Sequence, residues 1–322
     1  MDIALTEPVQ ERLRQAEALI YYQVDSSRSG LAGALHQLIA SGGKRLRPRL
    51  VLLTGTMLGA DNQKLVALAA AIEMLHTATL IHDDLVDDSL LRRGMATLNA
   101  HYSSTVTVLA GDLASARAAR LASDAGSLAV MRLFSETLTI MADGELTQAC
   151  RNRGIPSREE YFRWIHAKTA SMFELATGAA ALLSPVDERV VAAARRFGYE
   201  IGMAFQIADD VLDFTGDEST LGKPIGGDLH RGVITLPALC YLESHPEYPV
   251  MYIVSARKDE GLDGPALDRL IADIRDSGAA RQAMREAEDF VQRGLAALAA
   301  LPDTPERQAL AEIARSVVYR DA

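Results

Sequence analysis

The sequence predicts an all-α fold, and three features carry that prediction. Alanine and leucine are abundant while aromatic residues make up only 5%, a balance that favours helix because these side chains lose little rotamer freedom there. No proline stands between Pro48 and Pro156, so that long stretch carries no obligate breaker. Runs alternating Val, Ile, Thr and aromatics, the mark of a half-buried strand, are nearly absent.

Punctuation then divides the chain in order. Loops fall at Ser41-Gly42-Gly43, Gly59-Ala60-Asp61-Asn62, Asn152 to Pro156, Ser184-Pro185, Gly216 to Gly227 and His245 to Pro249. The segments between them are helices of roughly 12 to 25 residues, a usual length for a helical bundle. With 322 residues the chain is long enough to bury a sizeable core. No low-complexity linker and no composition shift marks a boundary, so residues 1–322 are expected to form a single domain.

Bulk properties narrow the function. Hydrophobic residues make up 48% and charged residues 24%, ordinary for a soluble globular protein. A net charge of −10 argues against nucleic acid or anionic lipid as a broad electrostatic partner. Only two cysteines occur, Cys150 and Cys240, so there is no disulfide framework and no Cys-rich metal spacing. The most apolar stretch, Leu65 to Ile81, is broken by Glu73, His76 and two threonines and does not read as a transmembrane segment. The N-terminal residues lack the basic and apolar regions of a signal peptide. The expected location is cytoplasmic.

Two aspartate clusters dominate what remains. They are His82-Asp83-Asp84-Leu85-Val86-Asp87-Asp88 and Phe205-Gln206-Ile207-Ala208-Asp209-Asp210-Val211-Leu212-Asp213, each an Asp-Asp-x-x-Asp inside an apolar run. Like charges beside Leu and Val are costly unless cations neutralise them. At 100° per residue Asp83 and Asp87 share one face, with His76 between them in angle two turns back. Asp84 and Asp88 point elsewhere. Gln206, Asp209 and Asp213 share a face by the same arithmetic. Hard oxygen donors without a nearby Cys or second His suit Mg²⁺ or Mn²⁺. A single such motif reads equally well as a solvated acidic face or a helix N-terminus. Two copies, each with apolar flanks, look like opposite walls of a metal site.

Phosphate is the natural anion for such cations, and basic residues accompany the acidic ones. Gly42-Gly43-Lys44-Arg45-Leu46-Arg47-Pro48 puts three cations within four residues, and Arg92-Arg93-Gly94 follows Asp87 closely. Arginine forks onto phosphate oxygens and lysine adds a point charge. Alone, Lys-Arg-x-Arg is commonly a solvated face, and His76 alone is a hydrogen-bonded core histidine. Lys168-Thr169-Ala170 and Gly222-Lys223-Pro224 are weak alone as well. Both basic runs together with both acidic runs supply what a charge-balanced metal–diphosphate site requires.

With these residues in place the sequence resembles the trans-type polyprenyl diphosphate synthases, the head-to-tail prenyltransferases. The resemblance spans most of the chain and keeps motif order: GGKRLRP at 42–48, HTATLIHDDLVDDSLLRRG at 76–94, KTA at 168–170, FQIADDVLD at 205–213, and GKPIGGDL followed by TLP at 222–237. Its ending, Leu301 to Pro305 and Val317 to Asp321, is similar to that of the long-chain quinone-side-chain enzymes. The resemblance implies a helical bundle of the isoprenoid synthase type around a deep central cavity, in a homodimer. It implies three Mg²⁺ ions, with Mn²⁺ able to substitute: two on Asp83 and Asp87, a third on Asp209 with Asp213. Arg92, Lys168, Thr169, Gln206 and Lys223 would hold the allylic diphosphate. Lys44, Arg47, His76 and Arg93 would hold isopentenyl diphosphate, with Arg320 nearby. Asp83, Asp87, Lys168 and Asp209 are the expected catalytic set.

The implied chemistry needs no protein nucleophile. Cations stabilise the charge on the departing diphosphate, the allylic C–O bond ionises, and the double bond of isopentenyl diphosphate attacks the cation. Two departures from the family pattern stand out. Val233 occupies a position where the family often has lysine, with Arg231 or His230 as substitutes, and Leu90 stands where many relatives have aspartate.

Product length is read from the residues before Asp83. In the family, bulky aromatics there stop growth, whereas this chain has Ala78 and Thr79, with Ala71 further back and an Ala- and Ser-rich stretch from Ala110 to Ala122. At ~1.5 Å of rise per residue Ala78 lies roughly 7 Å below the aspartates, so growth beyond C20 is expected unless Leu75, Met74 or Met141 closes the cavity lower down. The alternatives are a farnesyl or geranylgeranyl diphosphate synthase, a class I terpene cyclase and a non-catalytic subunit of a heteromeric synthase. A cyclase has no use for Lys44, Arg47 and Arg93, and a silent subunit has no use for the whole set. A peripheral membrane contact would let a greasy product leave.

Overall fold

Capping side chains place the helix starts close to where the sequence punctuation put them. The structure, a computed structural model, describes residues 5–25, 32–40, 43–92, 94–150, 154–216, 225–247 and 264–319. Helix α1 spans Glu7–Asp25, α2 Ala32–Ala40, α3 Leu46–Leu58 and α4 Asn62–Val86. Gly59 ends α3 in the left-handed region at φ 79°, a conformation glycine adopts without a Cβ penalty. The Asp61 carboxylate then accepts from the N–H groups of Gln63 and Lys64, both at 3.0 Å, and starts α4.

The proline-free stretch is interrupted where breaker residues gave no warning. Helix α4 stops at Val86, Asp88 turns the chain at φ 50°, and a two-stranded hairpin follows, β1 (Leu91–Arg92) paired antiparallel with β2 (Met95–Ala96). Helices α5 (Leu98–His101), α6 (Ser104–Asp124), α7 (Leu128–Cys150) and α8 (Arg158–Ile165) come next. A π-helical turn over His166–Ala170 leads into α9 (Ser171–Leu182), and α10 runs over Glu188–Thr215. The chain continues through α11 (Gly227–His230), α12 (Leu236–Ser244), α13 (Gly264–Ser277), α14 (Ala279–Leu298) and α15 (Pro305–Val318). The all-α expectation holds, with the two-residue hairpin as the sheet content among the described residues.

The chain resolves into two compact units. The first comprises Met1–Thr137, Met172–Gly198 and Ala297–Ile313, the second Leu138–Ser171, Tyr199–Ala296 and Ala314–Ala322. In the first, α4 packs along α6, α3 and α1. Leu65, Leu68, Ile72, Leu75 and Ile81 of α4 are all at most 1% exposed, and each such side chain contributes about 1.5–3 kcal/mol by burial. By length and composition α4 could cross a membrane, but its side chains are mostly buried inside this unit. In the second unit Arg158 of α8 pairs with Glu243 of α12 at 3.1 Å and with Glu286 of α14.

Candidate active site

The end of α4 sorts the first acidic motif into two roles. Asp83 is half-buried and Asp87 exposed, and the Asp87 N–H still donates to the Asp83 carbonyl at 2.8 Å, so the one-turn spacing survives the helix terminus. Asp84 is buried at 2% exposure and accepts from Arg92 Nε at 2.8 Å. The hairpin delivers that arginine. Ser89 N–H donates to the Asp84 carbonyl at 2.8 Å and Thr97 Oγ1 to the Ser89 carbonyl at 2.7 Å, tying the turn back to α4. Beside the motif, His82 lies against Gly111 of α6, where a Cβ would come within 2.2 Å of the imidazole. Only glycine admits the ring there.

The basic residues of the first unit flank a turn at the start of α3. Lys44 is exposed, and the Arg47 guanidinium stands 5.1 Å over the Phe173 ring, a favourable cation–π geometry. His76 is half-buried on α4. Arg45, left out of the expected binding set, donates to Glu17, Glu73 and the Ile39 carbonyl. Arg93, Lys223 and Arg320 lie outside the described residues.

The second acidic motif repeats the division of labour. Asp209 and Asp213 are half-buried, while Asp210 is buried at 2% exposure. Tyr161 Oη donates to Asp210 Oδ2 at 2.6 Å, and Gln206 Nε2 donates to Oδ1 at 2.8 Å. The Gln206 carbonyl oxygen in turn accepts from Thr169 Oγ1 at 2.6 Å. A single chain of hydrogen bonds therefore joins α8, α10 and the π-helical turn. Burial pushes the Asp210 carboxyl well above the usual carboxylate range, and Asp228 adds to it, while Tyr161 and Gln206 pull the other way. Burial likewise raises Tyr161, with Asp210 as the next cause.

The π-helical turn sets the neighbouring lysine. Ser171 N–H reaches back to the His166 carbonyl, one residue beyond the α-helical register. Lys168 Nζ sits 5.6 Å from the Trp164 ring centroid and 3.7 Å from Glu145 Oε1. Asp213 Oδ2 accepts from the Asp228 N–H at 3.1 Å, and Arg231 Nη2 donates to Asp228 Oδ1 at 2.5 Å. Burial first and the Asp228 charge second raise the Asp213 carboxyl. Val233 and Arg231 both line a cleft of about 780 Å³ that also carries Gln148, Tyr161 and Trp164, so a cation stands near Val233. His230 is exposed at the end of α11.

Of the expected tunnel residues, Ala78 and Leu75 are fully buried on α4. Thr79 is half-buried and donates its hydroxyl to the His76 carbonyl at 2.8 Å. Its polar group is thus satisfied within its own helix.

Comparison with known proteins decides the family. Residues 28–262 match the model of the family described as polyprenyl synthetase. The chain belongs to the polyprenyl synthetase family. Octaprenyl diphosphate synthase of Escherichia coli (strain K12) is 33% identical over 318 residues, 98% of either chain. The all-trans-nonaprenyl-diphosphate synthase (geranyl-diphosphate specific) of Rhodobacter capsulatus is 37% identical over 316 residues, 97% of this chain and 96% of that one. Among solved structures, the polyprenyl synthase from Caulobacter crescentus CB15 complexed with calcium and isoprenyl diphosphate superposes with a TM-score of 0.90 at 34% identity, covering 100% of both chains. The protein is a trans-polyprenyl diphosphate synthase, a prenyltransferase that stands with the long-chain members of its family.

The synthase's donor set fits a hard divalent cation. Asp83, Asp87, Asp209 and Asp213 offer carboxylate oxygens on partly or fully exposed faces, the ligand type Mg²⁺ takes. Among the described residues no three carboxylate, histidine or cysteine side chains already converge on one point. Burial first and Asp228 second raise the Asp213 carboxyl, and a bound cation would favour its charged form.

Sequence reasoning missed Tyr161 and Arg45. Tyr161 carries no spacing signal, being one tyrosine among nine. Arg45 was visible, but its charge looked like its neighbours' charge until the fold gave it different partners.

Proposed function

We propose that the synthase extends an allylic diphosphate primer with isopentenyl diphosphate, head to tail, to a trans polyprenyl diphosphate longer than C20, with the residues named above in the following roles. Asp83 and Asp87 hold two Mg²⁺ ions, and Asp209 with Asp213 holds a third. Mg²⁺ supplies Lewis-acid stabilisation of the negative charge on the departing diphosphate. Lys168, Arg92 and Lys223 grip the allylic diphosphate, with Thr169 and Gln206 beside them. Lys44, Arg47, His76 and Arg93 grip isopentenyl diphosphate.

The allylic C–O bond breaks with its electron pair remaining on the diphosphate. The π electrons of isopentenyl diphosphate then form the new C–C bond, and the released diphosphate takes the proton that restores a double bond. The chain's contribution is to hold two diphosphates in reacting distance and to keep cations at the leaving group. One observation carries this reading. In both motifs the second aspartate is buried and satisfied by the protein's own donors, whereas the first and fifth remain toward solvent. A purely structural acidic face would have no reason to repeat that partition.

The calcium and isoprenyl diphosphate of the Caulobacter protein support a site of this kind. We further read the chain as one synthase domain, acting as a homodimer in the cytoplasm with a peripheral membrane contact for product release. Asp83→Ala and Asp209→Ala test the metal assignment. Each is expected to lower turnover by orders of magnitude with an unchanged helical circular dichroism spectrum and melting temperature. Near-normal turnover in either removes that residue from the metal site.

A further inference from the structure

The Gly-Gly-Lys-Arg-Leu-Arg-Pro run contains one cation whose surroundings differ from the rest. Arg45 is the residue before α3 and adopts the left-handed conformation, φ 49° and ψ 41°. A non-glycine residue holds that conformation only when its surroundings enforce it. Three bonds do so. Nε donates to Glu17 of α1 at 2.9 Å, Nη1 to Glu73 of α4 at 2.7 Å, and Nη2 to the Ile39 carbonyl of α2 at 2.7 Å. The Arg45 side chain is 11% exposed and that of Glu73 is 7% exposed, so the pair sits where a broken contact leaves an uncompensated charge.

Position turns this clamp into more than a fold contact. Lys44 directly precedes Arg45, and Arg47 lies in the first turn of α3, whose opening bond is the Arg49 N–H donating to the Arg45 carbonyl at 3.1 Å. Glu73 stands three residues before His76 on α4, and residues three apart on a helix are surface neighbours. The Arg45–Glu73 pair therefore pins the turn that presents Lys44 and Arg47 to the stretch of α4 that presents His76. A planar guanidinium with three acceptors fixes both distance and orientation, which a flexible lysine ammonium does not.

We propose that Arg45 is a positioning residue for the isopentenyl diphosphate site, holding Lys44 and Arg47 in register with His76 through Glu17 and Glu73. The proposal rests on the assignment of Lys44, Arg47 and His76 to that substrate. It separates Arg45, bonded to Glu17, Glu73 and Ile39, from Lys44 and Arg47, which are assigned to the diphosphate.

Steady-state kinetics with each substrate varied in turn tests it. Arg45→Gln is expected to raise the KM for isopentenyl diphosphate by about tenfold or more, with the KM for the allylic primer changed less than about twofold. Glu17→Gln, which alters the half-exposed end of the clamp, is expected to give a smaller rise of about threefold in the same constant. It decides the matter if the Arg45 variant does not fold. Arg45→Lys should recover only part of the loss, because one ammonium cannot reproduce the three-way fork. Lys44→Ala serves as the reference. If it raises the KM for isopentenyl diphosphate while the folded Arg45 and Glu17 variants do not, or raise both KM values alike, the positioning role is overturned alone. If Lys44→Ala leaves that KM unchanged, the substrate assignment falls and the proposal falls with it.

Discussion

Tyr161 Oη lies 2.6 Å from Oδ2 of Asp210, so the buried member of the second acidic motif is satisfied by hydrogen bonds from the protein. Through Gln206 the same carboxylate is joined to Thr169, one residue from Lys168. Tyr161→Phe removes one hydroxyl from this chain and nothing else. Denaturant unfolding should show a loss of about 1–2 kcal/mol, the scale for a buried hydrogen bond whose partner is left unsatisfied. The KM for the allylic primer should rise more than that for isopentenyl diphosphate. A variant indistinguishable from the parent in both measurements would detach Tyr161 from the site.

Arg92 and Asp84 form the corresponding pair in the first motif, with the arginine 30% exposed and the carboxylate 3%. Arg92→Ala removes the guanidinium bonded to a buried carboxylate. Solvent at the arginine moderates the cost, and a loss of about 2 kcal/mol is expected. Asp84→Asn in the same chain should restore at least half of it, because an amide carries no charge to strand. Equal stability of the single and double variants would show that the pair contributes little.

The Asp213 carboxyl gives a pH dependence with a definite sign. Burial and Asp228 raise it in the folded state. Between the ordinary carboxylate range and that raised value the folded chain binds more protons than the unfolded chain, so this group's contribution to stability falls as pH rises. Metal-free protein should therefore lose more unfolding free energy than Asp213→Asn as pH rises from the ordinary carboxylate range. Added Mg²⁺ should stabilise the parent more than the variant at pH 7. Parallel pH profiles would contradict a raised Asp213 carboxyl.

Helical phase makes half of each acidic motif legible in the sequence alone. It separates Asp83 and Asp87 from Asp84, and Asp209 and Asp213 from Asp210, because 100° per residue holds whatever surrounds the helix. The partners of Asp84 and Asp210 are not legible in that way. Arg92 reaches Asp84 only because α4 ends at Val86 and Asp88 turns the chain, a break made without proline or glycine. Tyr161 reaches Asp210 by tertiary packing between α8 and α10, which leaves no local spacing to read. The π-helical turn around Lys168 is likewise a property of backbone register that residue type does not announce. Loop positions are the most readable part, since Gly59 and Asp61 act through their own backbone and side chain.

Ala78 supplies the test of product length. It is fully buried on α4, five residues before Asp83. Ala78→Phe adds an aromatic ring about one and a half helical turns below the aspartates and should shorten the products while the KM values for the diphosphates stay close to those of the parent. An unchanged product range would place the floor of the tunnel elsewhere.

The central claim is that these motifs serve chain elongation past C20. Purified protein incubated with isopentenyl diphosphate, Mg²⁺ and each allylic primer in turn, with the dephosphorylated products separated by chromatography, measures this directly. The account predicts a ladder ending in a product longer than C20, abolished by chelation of the metal. Products that stop at C15 or C20 would contradict the long-chain assignment, and recovery of the primer alone would contradict the elongation chemistry itself.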